Sequence, residues 1–286
     1  MKTMQIPNKV RQIIGMAAMV FCALGAGVAQ AADPTLTYVD IPHKYEPELL
    51  QYGNFQRNTN TGAYQVKEGV NGVPFWIYCL DPLTYFQSSN NYGTSNLSTF
   101  ITGGAYATLF AADGYINSSV NDGIGSTVPN DYGKSNTTPA TVLDKLTELY
   151  SHAYFDSLTS NDKSGAFQYA IWEIEGDTAG AYSSTAGGLR FVGTGNNADP
   201  SFVNQVNIYL KALNAGTGGT WADIGLGATN NFTYTVYNSV RLGDSQTVLK
   251  VTPNAVPEPA SVVLFGIGIL ALGASRRGTR KQVSTS

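Results

Sequence analysis

Histidine and cysteine are almost missing from this chain. In 286 residues there are two of each: His43 and His152, Cys22 and Cys79. So few imidazoles and thiols, without ligand spacing, exclude a zinc site. They also argue against a Cys–His hydrolase, whose thiolate needs an imidazole beside it. His152 falls on the expected exposed side of a helix. Cys79 closes an apolar run instead of opening a helix, where a thiol ionises most readily. No cofactor motif is present. Charged residues are few as well, at 13%. Seven of the 17 basic residues but only one of the 20 acidic ones lie in the two end segments, which leaves 10 against 19 in between, a balance of −9. That balance argues against nucleic acid or an anionic membrane surface as partner. No fixed-period repeat is seen.

Long apolar runs are confined to the two ends. Near the N-terminus, Lys2, Lys9 and Arg11 precede an apolar stretch from Ile13 to Val28 and then "AQAAD" at 29–33. A basic start, an apolar core and small residues at the cut describe a secretory signal peptide over 1–31, cleaved after Ala31 or Ala32. The alternative is an anchor that stays. Cys22 lies inside this segment and would leave with it. It is not a lipoprotein cysteine, because bulky Phe21 stands before it. At the other end, Pro257, Glu258 and Pro259 precede an apolar stretch from Ser261 to Ala274 and a basic cluster that includes Arg276 and Arg277. The stretch is short for a full membrane span, and its basic end would stay cytoplasmic. A plain tail anchor is one reading. The three parts together resemble the PEP-CTERM sorting signal of Gram-negative, biofilm-forming bacteria. The resemblance implies that an exosortase-type protease removes residues 256–286, so that the chain meets the membrane only through a transient C-terminal helix.

Residues 33–255 are one domain's worth of chain, with enough apolar and aromatic residues to bury a core. β-branched and aromatic content predicts strands over Thr35–Asp40, Gly62–Glu68, Val73–Leu80, Asn231–Tyr237 and Gln246–Thr252. Helices cluster between them. Thr138-Pro139 opens one through Leu158, with Val142, Leu146, Leu149 and Ala153 on one face. Ser160–Asp162 opens a second that ends before Gly176. Asp199-Pro200 opens a third with a stripe of Phe202, Val203, Val206, Leu210 and Leu213. A weaker helix spans Leu97–Ala112 and is interrupted by Gly103-Gly104. Strands, then helices, then strands predict an α+β domain: an antiparallel β scaffold, barrel- or sandwich-like, with a helical subdomain inserted mid-chain.

The mature chain then holds a single cysteine, in a compartment where pairs are the rule. A leftover cysteine there points to an intermolecular bond or a reactive thiol. The competing reading is an inert core residue, because free cysteine packs well. "FWIYCLDP" at 75–82 places Cys79 at a strand end. In "GAFQYAIWEIEGD", 165–177, Phe167, Ala170, Ile171 and Ile174 share one helix face, with Gln168 at its half-buried edge.

"YCLDP" followed some ninety residues later by "FQYAIWEI" resembles the thioester domain family of bacterial surface adhesins, with "AYATLFAADGYI" at 105–116 resembling its intervening helix. The resemblance covers most of residues 60–180 and implies an internal thioester between Cys79 and Gln168. The sulfur attacks the carboxamide carbon and ammonia leaves, provided the fold holds the pair in near-attack geometry. An amine- or hydroxyl-bearing protein or polysaccharide can then attack the activated acyl group, becoming covalently attached and freeing the thiol. Such a protein acts once and is not an enzyme. Tyr78, Ile171 and Trp172 are expected to shield the bond. Asp81, Glu173 and Glu175 read as surface or capping carboxylates. The alternative is a noncovalent structural or glycan-binding matrix domain in which Cys79 only fills the core or pairs a dimer.

Overall fold

The computed structural model describes residues 33–44, 48–52, 55–82, 84, 86–103, 138–177, 179–191, 199–215, 220–228, 231–239 and 245–254. The expected signal peptide, the sorting segment with its apolar helix, and the stretch expected to continue the Leu97 helix to Ala112 lie outside the described residues. All described elements belong to one compact unit that begins at Pro34.

Six strands close an antiparallel barrel. They are β1 (Thr35–Lys44), β4 (Gly62–Glu68), β5 (Phe75–Cys79), β6 (Asn90–Asn96), β8 (Phe232–Ser239) and β9 (Val248–Pro253), in the order β1-β4-β5-β9-β8-β6. Closure leaves no free edge. The expected α+β class and antiparallel scaffold are therefore present, in the barrel form. A second sheet of three strands has the order β3-β2-β7, from β2 (Glu48–Tyr52), β3 (Phe55–Thr59) and β7 (Leu189–Phe191).

Four of these strands were not expected from the sequence, and the reasons differ. β6 reads NNYGTSN and buries only Tyr92. Its place comes from pairing with β1 on one side and β8 on the other, not from propensity. β2 and β3 pair from Glu48↔Thr59 to Tyr52↔Phe55. β2 is bounded by β3 and β7, so pairing and not its own pattern makes it a strand. β7 is three residues long and is defined by its partner β2 alone.

The helices follow the expected starts closely. α1 (Leu97–Thr102) is capped by the Asn96 side chain, which accepts the Thr99 N–H at 2.7 Å, and it ends at Gly103. α2 (Pro139–Ser157) has Thr138 as cap and proline in its first turn, where the missing N–H costs nothing. Its buried face includes Val142, Leu146, Leu149 and Ala153, as the spacing requires. α3 (Asn161–Gly176) is capped by Ser160. α4 (Pro200–Ala215) buries Phe202, Val206, Leu210 and Leu213, and a short α5 (Thr220–Asp223) follows.

α3 departs from expectation. The pattern predicts one apolar face, yet every residue from Ser164 to Gly176 is buried. The helix lies against barrel strands β1, β4 and β5, is flanked by α2 and α4, and meets β7. An aromatic seam joins it to the barrel: Tyr78 packs on Phe167 (ring centroids 4.6 Å) and Tyr150 meets Phe167 edge-on (4.9 Å). At its C-terminus the Asp177 carboxylate accepts the N–H groups of Gly188 (2.6 Å) and Leu189 (3.0 Å), which ties the helix to β7. Gly187, at φ +102°, runs so close beneath that carboxylate that a Cβ would sit 2.6 Å from it.

Candidate functional site

The site forms where β5 ends. Cys79 is the last residue of β5 and pairs with Val248 of β9, and the ladder continues with Leu80 N–H to the Thr247 carbonyl at 2.9 Å. Tyr78 and Cys79 face opposite sides, as strand alternation requires. The Tyr78 ring goes toward the helices, its hydroxyl bonding Ser157 (2.7 Å) and Ser164 (3.2 Å).

Gln168 reaches Cys79 from α3 and holds its backbone at both ends. The Cys79 N–H donates to Gln168 Oε1 (2.8 Å), and Gln168 Nε2–H donates to the Cys79 carbonyl (2.7 Å). One helix turn later, Trp172 Nε1–H donates to the same carbonyl at 3.1 Å. On the β4 side the ladder ends at the Tyr64–Ile77 pair, and two side chains of α3 supply the bonds missing at Cys79. The expected half-buried edge position of Gln168 is corrected: it is fully buried, because α3 is enclosed on all sides.

The Cys79 sulfur points elsewhere. Sγ–H donates to Oε1 of Gln246 at 2.8 Å, while Gln246 Nε2–H donates to the Asp81 carbonyl at 3.0 Å. The carboxamide carbon lies one C=O bond past that oxygen, so it is within about 4 Å of the sulfur. Thus the structure brings Cys79 and Gln168 together through the backbone of one and the side chain of the other, and sets a second glutamine at the sulfur. Gln246 was legible only as the start of a strand. Its place opposite Asp81 follows from the β5–β9 register, which no sequence rule supplies.

Burial governs the electrostatics. The thiol of Cys79 is pushed well above its ordinary pKa, first by burial and then by the Asp81 and Glu175 carboxyls. At neutral pH it is a protonated thiol, not a resting thiolate. The surface position expected for Asp81, Glu173 and Glu175 is corrected, since all three are buried, while the capping alternative holds for Asp81. Burial raises Glu175 well above the carboxylate range, with Asp81 adding to it, and burial followed by Asp177 does the same for Glu173. Asp81 Oδ1 accepts the Thr84 N–H at 3.1 Å. On the β9 side, Tyr92 and Ser245 share a 2.6 Å hydrogen bond beside Gln246, and burial pushes the Tyr92 phenol up to about 12.

Of the three residues expected to shield the sulfur, Trp172 touches Cys79, Tyr78 occupies the opposite face of the strand, and Ile171 is buried in α3. His152 is also corrected. It is not on an open face but stacks on Trp221 (5.1 Å, 9°), with Nδ1 2.7 Å from the Leu226 carbonyl. Among the described residues no group of His, Cys, Asp and Glu suits a metal ion, and no helix is long and apolar enough to cross a membrane.

Comparison with known proteins bears mainly on the C-terminus. Residues 255–277 match the family model of the PEP-CTERM protein-sorting motif. This segment contains Pro257, Glu258, Pro259, Arg276 and Arg277. The motif marks the chain for export, for processing by an exosortase, and for the surface or extracellular space of a Gram-negative bacterium. No curated protein matches the chain. The N-terminal domain of the Streptococcus pyogenes pilus tip adhesin Cpa is similar at 11% identity, with a TM-score of 0.41 over 81% of this chain and 97% of that one. A likeness this distant carries no argument about fold or function.

Proposed function

We propose that this exported protein attaches covalently to its surroundings through an internal thioester on Cys79. The observation that carries the reading is the 2.8 Å contact between the Cys79 sulfur and a buried carboxamide, at a strand end whose backbone is clamped by Gln168 and Trp172. Fixed approach of a thiol to an amide carbonyl replaces the chance encounter that makes this reaction slow in water. The sulfur bonds to the carboxamide carbon, the C–N bond breaks, and the thiol proton leaves with the nitrogen as ammonia. An amine or hydroxyl of a matrix protein or polysaccharide then takes the acyl group, and the proton it gives up returns to sulfur. One attachment consumes the bond, so the protein does not turn over. In this reading residues 33–255 are the mature attachment domain, with 1–31 and 256–286 removed.

Two glutamines are candidates for the acyl donor. Gln168 is the one implied by the sequence resemblance. The geometry favours Gln246, because its oxygen is the one at the sulfur while both ends of the Gln168 amide are engaged with the backbone of Cys79. Gln168 is then the clamp. A noncovalent matrix domain is the second reading, favoured by a thiol that is fully buried and held protonated.

Methylamine separates these possibilities. It opens a thioester and leaves an N-methylamide on the residue that supplied the acyl group. Peptide mapping should find that mark on Gln246 and a newly titratable Cys79. A mark on Gln168 would assign the bond to Cys79 and Gln168. No mark on either, with a thiol that is free from the start, would leave the noncovalent reading. Mapping of protein recovered from the outer fraction of the host should find neither Cys22 nor Arg276; full-length chain there would contradict the processing.

A further inference from the structure

The thioester reading leaves a proton to be moved inside a closed site, and the residue for that task lies on the helix that clamps Cys79. Gln168 and Glu175 are seven residues apart, two turns of α3, so they leave the same face of the helix, with Trp172 between them. This is the face that meets the end of β5, since Gln168 and Trp172 both bond Cys79. Glu175 is 2% exposed. Asp81, two residues beyond Cys79, is 1% exposed, and its own carbonyl holds the Nε2 of Gln246. Two buried carboxyls therefore lie around the strand end that carries the thiol and its nearest carboxamide, one on the clamping helix and one two residues along the chain.

We propose that Glu175 and Asp81 act as a pair that carries the proton from the Cys79 thiol to the departing nitrogen when the thioester forms. The inference rests on the thioester reading above. Burial, with Asp81 adding to it, raises the Glu175 carboxyl well above the carboxylate range, so in this proposal Glu175 enters as the acid and Asp81 is assigned the base. As sulfur attacks the carboxamide carbon, its proton passes to the ionised carboxyl. The proton of the other carboxyl passes to the amide nitrogen, the C–N bond breaks, and ammonia leaves. The pair ends as it began, with one proton. Opening by an amine uses the same pair: the amine gives its proton to the carboxylate and the acid protonates the leaving sulfur. Among the described residues, the Cys79 thiol and, from α2, the Tyr150 phenol also interact with Glu175.

The test uses Glu175→Gln in the full chain. The substitution keeps the shape and neutrality of a protonated glutamate, so the protein should fold with an unchanged or higher Tm. Two readouts are followed, the fraction of fresh protein lighter by one ammonia and the rate of opening by methylamine across pH. Proton transfer by a placed group contributes about a hundredfold or more. Glu175→Gln should therefore form and open the bond at least about a hundredfold more slowly, with the carboxyl-dependent part of the pH profile gone. Asp81→Asn should act in the same direction and decides the matter if the first variant does not fold. Wild-type protein of full mass with a free thiol would overturn the thioester and this inference with it. Wild-type protein lighter by ammonia, alongside variants that form and open the bond at the wild-type rate and pH profile, would overturn the proton pair alone and leave the thioester standing.

Discussion

Helices α2 and α3 lie side by side, yet their buried carboxyl groups are treated in opposite ways. In α2, Glu148 is buried with a cation and a donor: Lys145 Nζ at 2.8 Å and the Trp221 indole N–H at 2.9 Å. In α3, Glu173 and Glu175 are buried near other acids, Asp177 and Asp81, and burial drives them toward the protonated form. A carboxyl buried with a cation and an indole donor ties elements together. A carboxyl buried beside another acid stores a proton at neutral pH, at a cost in stability. The difference makes α3 the helix on which the proposed chemistry rests, while the Glu148 contacts of α2 serve packing.

The comparison breaks most severely at Trp172. Replacing it with alanine empties a fully buried indole site and removes one of the two donors on the Cys79 carbonyl, a loss of about 3–5 kcal/mol measurable by denaturant unfolding. Gln168→Ala should cost less, about 1–3 kcal/mol, because it strands the buried Cys79 N–H while Trp172 still serves the carbonyl. An unfolding free energy unchanged by either substitution would show that the clamp is not made.

Glu173 sharpens the contrast through pH. Its folded pKa is raised above its unfolded value, so its favourable contribution is full below about pH 4.3 and is lost as pH rises toward the folded pKa. Glu173→Gln should therefore flatten the fall in Tm above that pH. A Tm–pH slope identical to wild type would contradict a buried, protonated Glu173. The smallest effect belongs to α2: Thr147→Ala, on its exposed side, removes only a bond to the Leu143 carbonyl and should change stability by less than about 0.5 kcal/mol.

Much of the scaffold was readable because its cues are local. Thr138-Pro139 and Ser160 start helices by capping, and β4 was found whole from its residues. What escaped depends on partners distant in sequence. β6 is polar and becomes a strand only between β1 and β8. α3 looks amphipathic until a barrel, two helices and a second sheet cover it, and for the same reason its glutamates read as surface groups. At the site, Cys79 at a strand end and Gln168 on the helix were visible as a pair. Gln246 was not, since its meeting with the sulfur is set by a β5–β9 register spanning 167 residues of separation.

The central claim is a covalent bond at Cys79, and intact mass combined with thiol titration of freshly purified protein tests it most directly. The account predicts a chain lighter than its processed sequence by one ammonia, with no titratable thiol until methylamine restores mass and exposes Cys79. A chain of full sequence mass with a titratable Cys79 once unfolded, and no response to methylamine, would contradict it.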